Sequence, residues 1–177
     1  MQHAPPRAPR RQAWRALEDC VAAQALPLLA PLADDGVVPR VLMSGAVVSR
    51  PGAGPQSFHA DGVGRLANVF VPLVAIAPAS DGTQFWRGSH REPSAGERVD
   101  ADLTLASDGA AMAQMAAPGC AAGGMLAFDY RVIHRGLAND ARQRGASRRR
   151  AVVVSSPRCS VVCLPRIAVP LSWKSGR

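Results

Sequence analysis

From Ala13 to about Leu29 the apolar positions Trp14, Leu17, Val21 and Ala25 recur every three or four residues. That spacing lines one face of an α-helix. Pro27 and Pro31 weaken its end, because proline lacks the N–H that continues the helical ladder. Asp34-Asp35-Gly36 then reads as a turn. Past it the period changes. Short apolar, β-type runs at 37–48, 66–76, 83–86, 125–133 and 151–155 alternate with clusters of Gly, Pro, Ser and Asp. Such runs predict a mainly β sandwich or barrel with a short N-terminal helix, rather than βαβ units. Residues 93–122 are Ala- and Gly-rich and make a long excursion between strands, and 157–177 show no period. The predicted organisation is therefore a basic, unstructured tail over 1–12, one domain over 13–156 and an irregular extension over 157–177, with no internal repeat.

Composition narrows the class. At 177 residues and 47% apolar content, the chain has material for one domain with a substantial core. Its longest apolar runs are broken by Pro, Arg or Gly, well before the ~18 residues a membrane helix needs. The charge is lopsided, with 21 Lys+Arg against 13 acids and a net +8. Much of it sits in two clusters, Arg7, Arg10, Arg11 and Arg15, then Arg142, Arg144, Arg148, Arg149 and Arg150. A basic balance can mark a nucleic-acid partner. Here Lys174 is the only lysine, so the arginines read as coding bias, and the single Tyr among few aromatics offers little surface for stacking bases. Nucleic acid is accordingly disfavoured as a partner. Cys20, Cys120, Cys159 and Cys163 form no CxxC pair, which argues against a zinc knuckle or a disulfide framework. Free thiols in a reducing, cytoplasmic setting are expected. The Arg-rich N-terminus also weakly resembles an organelle transit segment.

The chemistry concentrates at Gln56-Ser57-Phe58-His59-Ala60-Asp61-Gly62. Residues two apart on a strand share a face, so His59 and Asp61 can present an imidazole and a carboxylate to one point. A third ligand must come from elsewhere, and His3, His90 and His134 are the remaining histidines. His134 follows the apolar run 125–133, where a strand would deliver it to a barrel mouth. Two His and one carboxylate on one face leave open positions on an octahedral metal, the arrangement of non-haem Fe(II) oxygenases. Taken alone, an HxD triplet is as readily a chance feature of a turn.

Four segments resemble the phytanoyl-CoA dioxygenase family of Fe(II)- and 2-oxoglutarate-dependent oxygenases. They are Ser49-Arg50-Pro51-Gly52 with Gln56 and His59-Ala60-Asp61-Gly62; Asn68-Val69-Phe70-Val71-Pro72-Leu73; Asp81 to Arg91, with Gly88-Ser89-His90-Arg91 at its end; and Gly124 to Asn139, around His134. They occur in the family's order. Arg87 stands where the family usually has proline.

The resemblance implies a double-stranded β-helix (a cupin-like jelly roll) with His59, Asp61 and His134 as iron ligands. It further implies 2-oxoglutarate as co-substrate, and an arginine on the strand after the distal histidine to pair with its far carboxylate. Guanidinium suits that task because its planar fork matches a carboxylate. Arg149 fits the pattern of an arginine, any residue, then a small apolar residue, and Arg148 and Arg150 adjoin it. Arg149 lies fifteen positions beyond His134, a longer spacing than is common in the family, so Arg148 and Arg150 stay candidates beside it. Asn68 and Phe70 share a strand face, and Phe70 matches an aromatic position lining the co-substrate pocket. Gln56 either meets substrate or caps a turn, and His90 reads as a structural turn residue. The implied reaction uses dioxygen to hydroxylate a C–H bond of a small-molecule or acyl substrate, with 2-oxoglutarate decarboxylated to succinate. The rival readings are an inactive or truncated jelly-roll remnant, a cupin-like metal enzyme that uses no 2-oxoglutarate, and a basic nucleic-acid-binding protein.

Overall fold

The computed structural model describes residues 8–33, 38–63, 66–80, 82–91, 109–140, 150–155 and 162–164. Helix α1 (Ala8–Leu29) begins earlier than the apolar period marks and keeps Pro27 in its final turns, and a 3-10 turn (Ala30–Leu32) follows. The early start is reasonable because an N-terminal turn needs no apolar stripe, only residues that tolerate helical geometry. The remaining elements are β1 (Ser44–Ser49), β2 (Ala67–Pro72), β3 (Thr83–Trp86), a 3-10 turn (Ser89–Arg91), α2 (Gly109–Ala113), β4 (Met115–Ala116), β5 (Met125–Asp129), β6 (His134–Gly136), β7 (Arg150–Ser155) and β8 (Val162–Leu164).

Two antiparallel sheets result, one ordered β1-β7-β2-β5-β8 and the other β4-β3-β6. Alternation along β2 and β5 sorts their side chains by face. Ala67, Val69, Val71, Met125 and Ala127 are buried against Val21, Ala25 and Leu29 of α1, with Trp14 and Leu17 packed beside them. The predicted helical stripe therefore covers the outer face of the larger sheet. The Trp14 indole N–H donates to Ser44 Oγ at 2.9 Å, tying the helix to β1. Each fully buried Val or Leu in this layer contributes roughly 1.5–3 kcal/mol relative to exposure. On the opposite face, Phe70, Leu126 and Phe128 meet Phe85 and Val132 between the sheets. Phe128 stands edge-on to both Phe70 and Phe85, with ring centroids 4.9 and 4.8 Å apart. Outside the smaller sheet, Phe58, Trp86 and Ile133 pack with Ala111 of α2.

One predicted strand divides in two. The run 125–133 reads as continuous, yet the chain leaves the larger sheet at Asp129 and joins the smaller one at His134. Asp129 makes the break. Its Oδ1 accepts the Arg131 backbone N–H and Nε at 2.9 Å each, and its Oδ2 accepts Nη2 at 2.7 Å. A carboxylate bonded to the backbone two residues on forms a turn that competes with the ladder. His134 thus opens β6 rather than closing a longer strand. β8 lies within the stretch read as irregular, at the edge of the larger sheet against β5. Three residues are too few to display an alternating pattern.

Candidate metal centre

His59 and His134 reach the same point through an isolated antiparallel bridge in which each backbone N–H donates to the other's carbonyl at 2.9 Å. Their rings stand 4.6 Å apart. Asp61, two residues past His59, is held by its own N–H donating to the Tyr130 carbonyl at 3.1 Å. Its Oδ1 lies 3.8 Å from His59 Nε2 and its Oδ2 lies 3.6 Å from His134 Nε2. One ligand atom from each of the three residues falls within 4.8 Å of the others, the only such group of His, Cys, Asp or Glu side chains among the described residues.

Both imidazoles are pre-set as ligands. His59 Nδ1 lies 2.8 Å from the Ser57 carbonyl oxygen and His134 Nδ1 lies 2.9 Å from that of Val132. A carbonyl only accepts, so each Nδ1 carries a proton, and each Nε2 is the ring nitrogen turned toward Asp61 and left to ligate. Such a bond from the far ring nitrogen is what orients a metal-bound histidine. Burial pushes the His134 imidazole below its ordinary value, outweighing the Val132 carbonyl and Asp61, which favour the charged form. His134 is walled by Phe128 and Phe85, at centroid distances of 4.9 and 5.9 Å. Asp61 is in turn oriented by the buried Asn68, whose Nδ2 donates to Oδ2. The donor set, two imidazole nitrogens and one oriented carboxylate, fits a divalent transition metal with open positions.

These groups sit in a cavity of about 350 Å³, at the small end of ligand pockets. Asn68, Phe70 and Gln56 line it, together with residues of β1 and of the Gly82-Thr83 corner. The structure therefore brings Asn68 and Phe70 to the same chamber as His59, Asp61 and His134, with Asn68 bonded to the carboxylate itself. His90 stays outside the triad, its Nδ1 buried without a hydrogen-bond partner among the described residues. Arg148 and Arg149 lie outside the described residues. The backbone of Arg150 pairs with Ser49, a cavity residue, at the start of β7.

Three supports hold the site; Asn139 is expected from the sequence to bond the backbone of the loop after His134, and Ser89 and Tyr130 are not evident from it. Ser89 Oγ donates to the Trp86 carbonyl at 2.8 Å and accepts the Ile133 N–H at 2.9 Å, fixing the residue before His134. Asn139, fully buried, donates through Nδ2 to the Ser49 carbonyl, accepts Gly52 N–H and donates its own N–H to Ala53. It pins the loop after β1 as well as its own. Tyr130 packs over Gly62, where an added Cβ would fall 2.5 Å from the ring. The one signal for Ser89 was its place in Gly88-Ser89-His90, a turn motif.

No protein-family model and no curated protein matches the chain. Solved structures do. EvdO2 from Micromonospora carbonacea var. aurantiaca is 18% identical with a TM-score of 0.60, over 95% of this chain and 71% of its own. EvdO2 complexed with 2-oxoglutarate is also similar, with a TM-score of 0.57 at 17% identity, over 92% of this chain and 70% of its own. SnoN, a non-haem α-ketoglutarate-dependent epimerase from nogalamycin biosynthesis, is 17% identical with a TM-score of 0.55, over 85% of this chain and 56% of its own. The chain spans only 27% of another similar structure, EvdMO1. At these identities the likeness is one of fold.

Proposed function

We propose that the chain is an Fe(II)- and 2-oxoglutarate-dependent oxygenase of the jelly-roll type, resembling the phytanoyl-CoA dioxygenase family, that oxidises a C–H bond of a small molecule. One observation carries this reading. Two imidazole Nε2 atoms and an oriented carboxylate converge on a cavity, with both Nδ1 positions committed to carbonyls. The similar folds of EvdO2, solved with 2-oxoglutarate, and of SnoN support it.

His59, Asp61 and His134 would hold the iron. When bound, iron with 2-oxoglutarate and dioxygen couples decarboxylation of the 2-oxo acid to oxidation of the substrate. The chain's own contribution is positional. Asn68 keeps Asp61 turned toward the two histidines. Phe85 and Phe128 shield His134 from water, which keeps its imidazole neutral and able to ligate. An arginine at the start of β7 would pair with the far carboxylate of 2-oxoglutarate. The family pattern points to Arg149, whereas the strand register sets Arg150 opposite cavity residue Ser49. Hydroxylation is the first reading, and inversion of a stereocentre is the second, favoured by the likeness to the SnoN epimerase.

Anaerobic titration of the full chain with Fe(II) and 2-oxoglutarate tests the proposal. The expected result is a weak visible charge-transfer band, abolished in His134→Ala and weakened in whichever of Arg149→Ala and Arg150→Ala removes the carboxylate partner. A folded protein that gives no band refutes it.

A further inference from the structure

Tyr130 is the chain's only tyrosine, and the proposed ligand set does not use it. Both of its main-chain groups are bonded. Its N–H donates to the Leu66 carbonyl at 2.8 Å, and its carbonyl accepts the Asp61 N–H at 3.1 Å. The Val132 N–H donates to the Asp129 carbonyl at 3.0 Å, closing a turn with Tyr130 as its second residue. The ring is laid over Gly62, the residue after Asp61. A Cβ built there would fall 2.5 Å from Cε1, 3.1 Å from Cδ1 and 3.5 Å from Cζ. The ring edge beside the candidate ligand therefore includes the carbon that bears the hydroxyl and one of its two neighbours.

Tyr130 also lines the cavity that holds His59, Asp61 and His134. At about 350 Å³ that chamber is at the small end of ligand pockets, so its lining groups stand close to whatever reacts there. Met43 and Phe70 line it too, but Met43 is exposed at the β1 side and the Phe70 ring packs edge-on to Phe128. A phenol is more electron-rich than a phenyl ring and is oxidised more readily. Tyr130 is thus an oxidisable ring held in fixed relation to a candidate metal ligand, and positioning of this kind is what makes a group reactive.

We infer that Tyr130 is a self-modification site, taking one oxygen atom on its ring and becoming a catechol when 2-oxoglutarate and dioxygen are consumed with no substrate in the chamber. This assignment rests on the oxygenase reading, because iron with 2-oxoglutarate supplies the oxidising power. The step balances. One atom of dioxygen enters a ring C–H bond next to the phenol carbon, and the displaced hydrogen becomes that of the new hydroxyl. The other atom enters a carboxylate of succinate as a C–C bond of 2-oxoglutarate breaks and carbon dioxide leaves. The ring and the 2-oxo acid each give up two electrons, and dioxygen takes all four. A bound substrate would fill the chamber and take the oxygen instead, so the catechol marks turnover of an empty site.

The test incubates the full chain with Fe(II), 2-oxoglutarate and isotopically heavy dioxygen, without added substrate. It follows retention on a boronate resin, which captures catechols, together with the mass of the Tyr130 peptide and the succinate formed. With a single tyrosine in the chain, a captured catechol reports on that one ring. The expected result is a gain of one heavy oxygen atom on the Tyr130 peptide, seen only when 2-oxoglutarate is present. Tyr130→Phe keeps a ring over Gly62 and should lose boronate retention completely. Retention that persists in this variant overturns the inference. So does succinate formed beside an unmodified Tyr130, or heavy oxygen found on Met43 or Phe70 instead, and these outcomes leave the oxygenase reading standing. A catechol formed equally without 2-oxoglutarate overturns it as well, because iron alone would then be the oxidant. Absence of both succinate and the Fe(II)–2-oxoglutarate band strikes the oxygenase reading, and this assignment falls with it.

Discussion

Asn68→Ala isolates the support beneath the carboxylate ligand. Asn68 is buried on the inner face of β2, and its amide donates to Asp61 Oδ2. A hydrogen bond to a charged group contributes about 1.5–3 kcal/mol. The Asp61 side chain is 28% exposed, so solvent screening favours the lower part of that range. Loss of an outer partner of a metal ligand weakens metal binding by roughly 10- to 100-fold, or about 1.4–2.7 kcal/mol. The two routes agree, so Asn68→Ala should bind Co(II) at least tenfold more weakly than the parent.

The loss is readable twice. Direct titration follows the Co(II) visible absorption. Thermal unfolding reads the same quantity through linkage, since a metal at 100 times its Kd adds about 2.7 kcal/mol of stability and at ten times its Kd about 1.4 kcal/mol. At a concentration saturating the parent, the metal-induced rise in Tm should therefore fall by about half or more. Phe70→Leu is the control, because Phe70 shares the strand and the cavity but touches Phe128 rather than Asp61. If Asn68→Ala folds and binds Co(II) as the parent does, the bond to Asp61 does not organise the site. An equal loss in Phe70→Leu would show that the effect is general loosening of the cavity.

Removing the Ser89 hydroxyl in Ser89→Ala strands the Ile133 N–H in a buried position, which should cost about 1–3 kcal/mol in urea unfolding; an unchanged midpoint would refute it. Gly62→Ala drives a Cβ to within 2.5 Å of the Tyr130 ring, and overpacking of this kind costs about 1–3 kcal/mol unless the ring swings aside, so Tm and ligand binding at the cavity should change together. The metal-free protein should lose stability as pH falls below about 6.5. Burial lowers the folded-state values of His134 and His90, so in that window the unfolded chain binds protons the folded chain refuses. The slope cannot exceed about 1.4 kcal/mol per pH unit for each group, and His134→Gln should flatten it; stability that is level or rising toward acid would contradict the assignment.

The fold was legible where periods were long. The stripe Trp14, Leu17, Val21 and Ala25 predicts a helix with one buried face, and that face lies on the larger sheet. Strands β1, β2, β3, β5 and β7 all fall within or across runs that read as β. What escaped depends on local chemistry that hydropathy does not register. Asp129 and Arg131 end β5 through a side-chain turn inside an otherwise apolar run. Burial raises the Asp129 carboxyl, but the Arg131 bonds and charge outweigh it and hold it below its usual range. That turn is what transfers the chain between sheets and allows His134 to face His59.

The site was legible at its candidate ligands and less so at what holds them. His59 and Asp61 announce themselves by spacing, because a strand puts alternate residues on one face. His134 has no such partner nearby; its place after the apolar run 125–133 and the likeness of its flanking segment singled it out. Asn68, Ser89 and Asn139 act through bonds reaching 7, 44 and 90 residues along the chain, distances no local pattern encodes. Gln56 and Gly136, 80 residues apart, make the same point most sharply. Gly136 is the empty position into which another residue's amide is laid, beside the candidate metal ligands. Candidate ligands are thus read from residue type and spacing, whereas the bonds that hold them join side chains that meet only after the two sheets have closed.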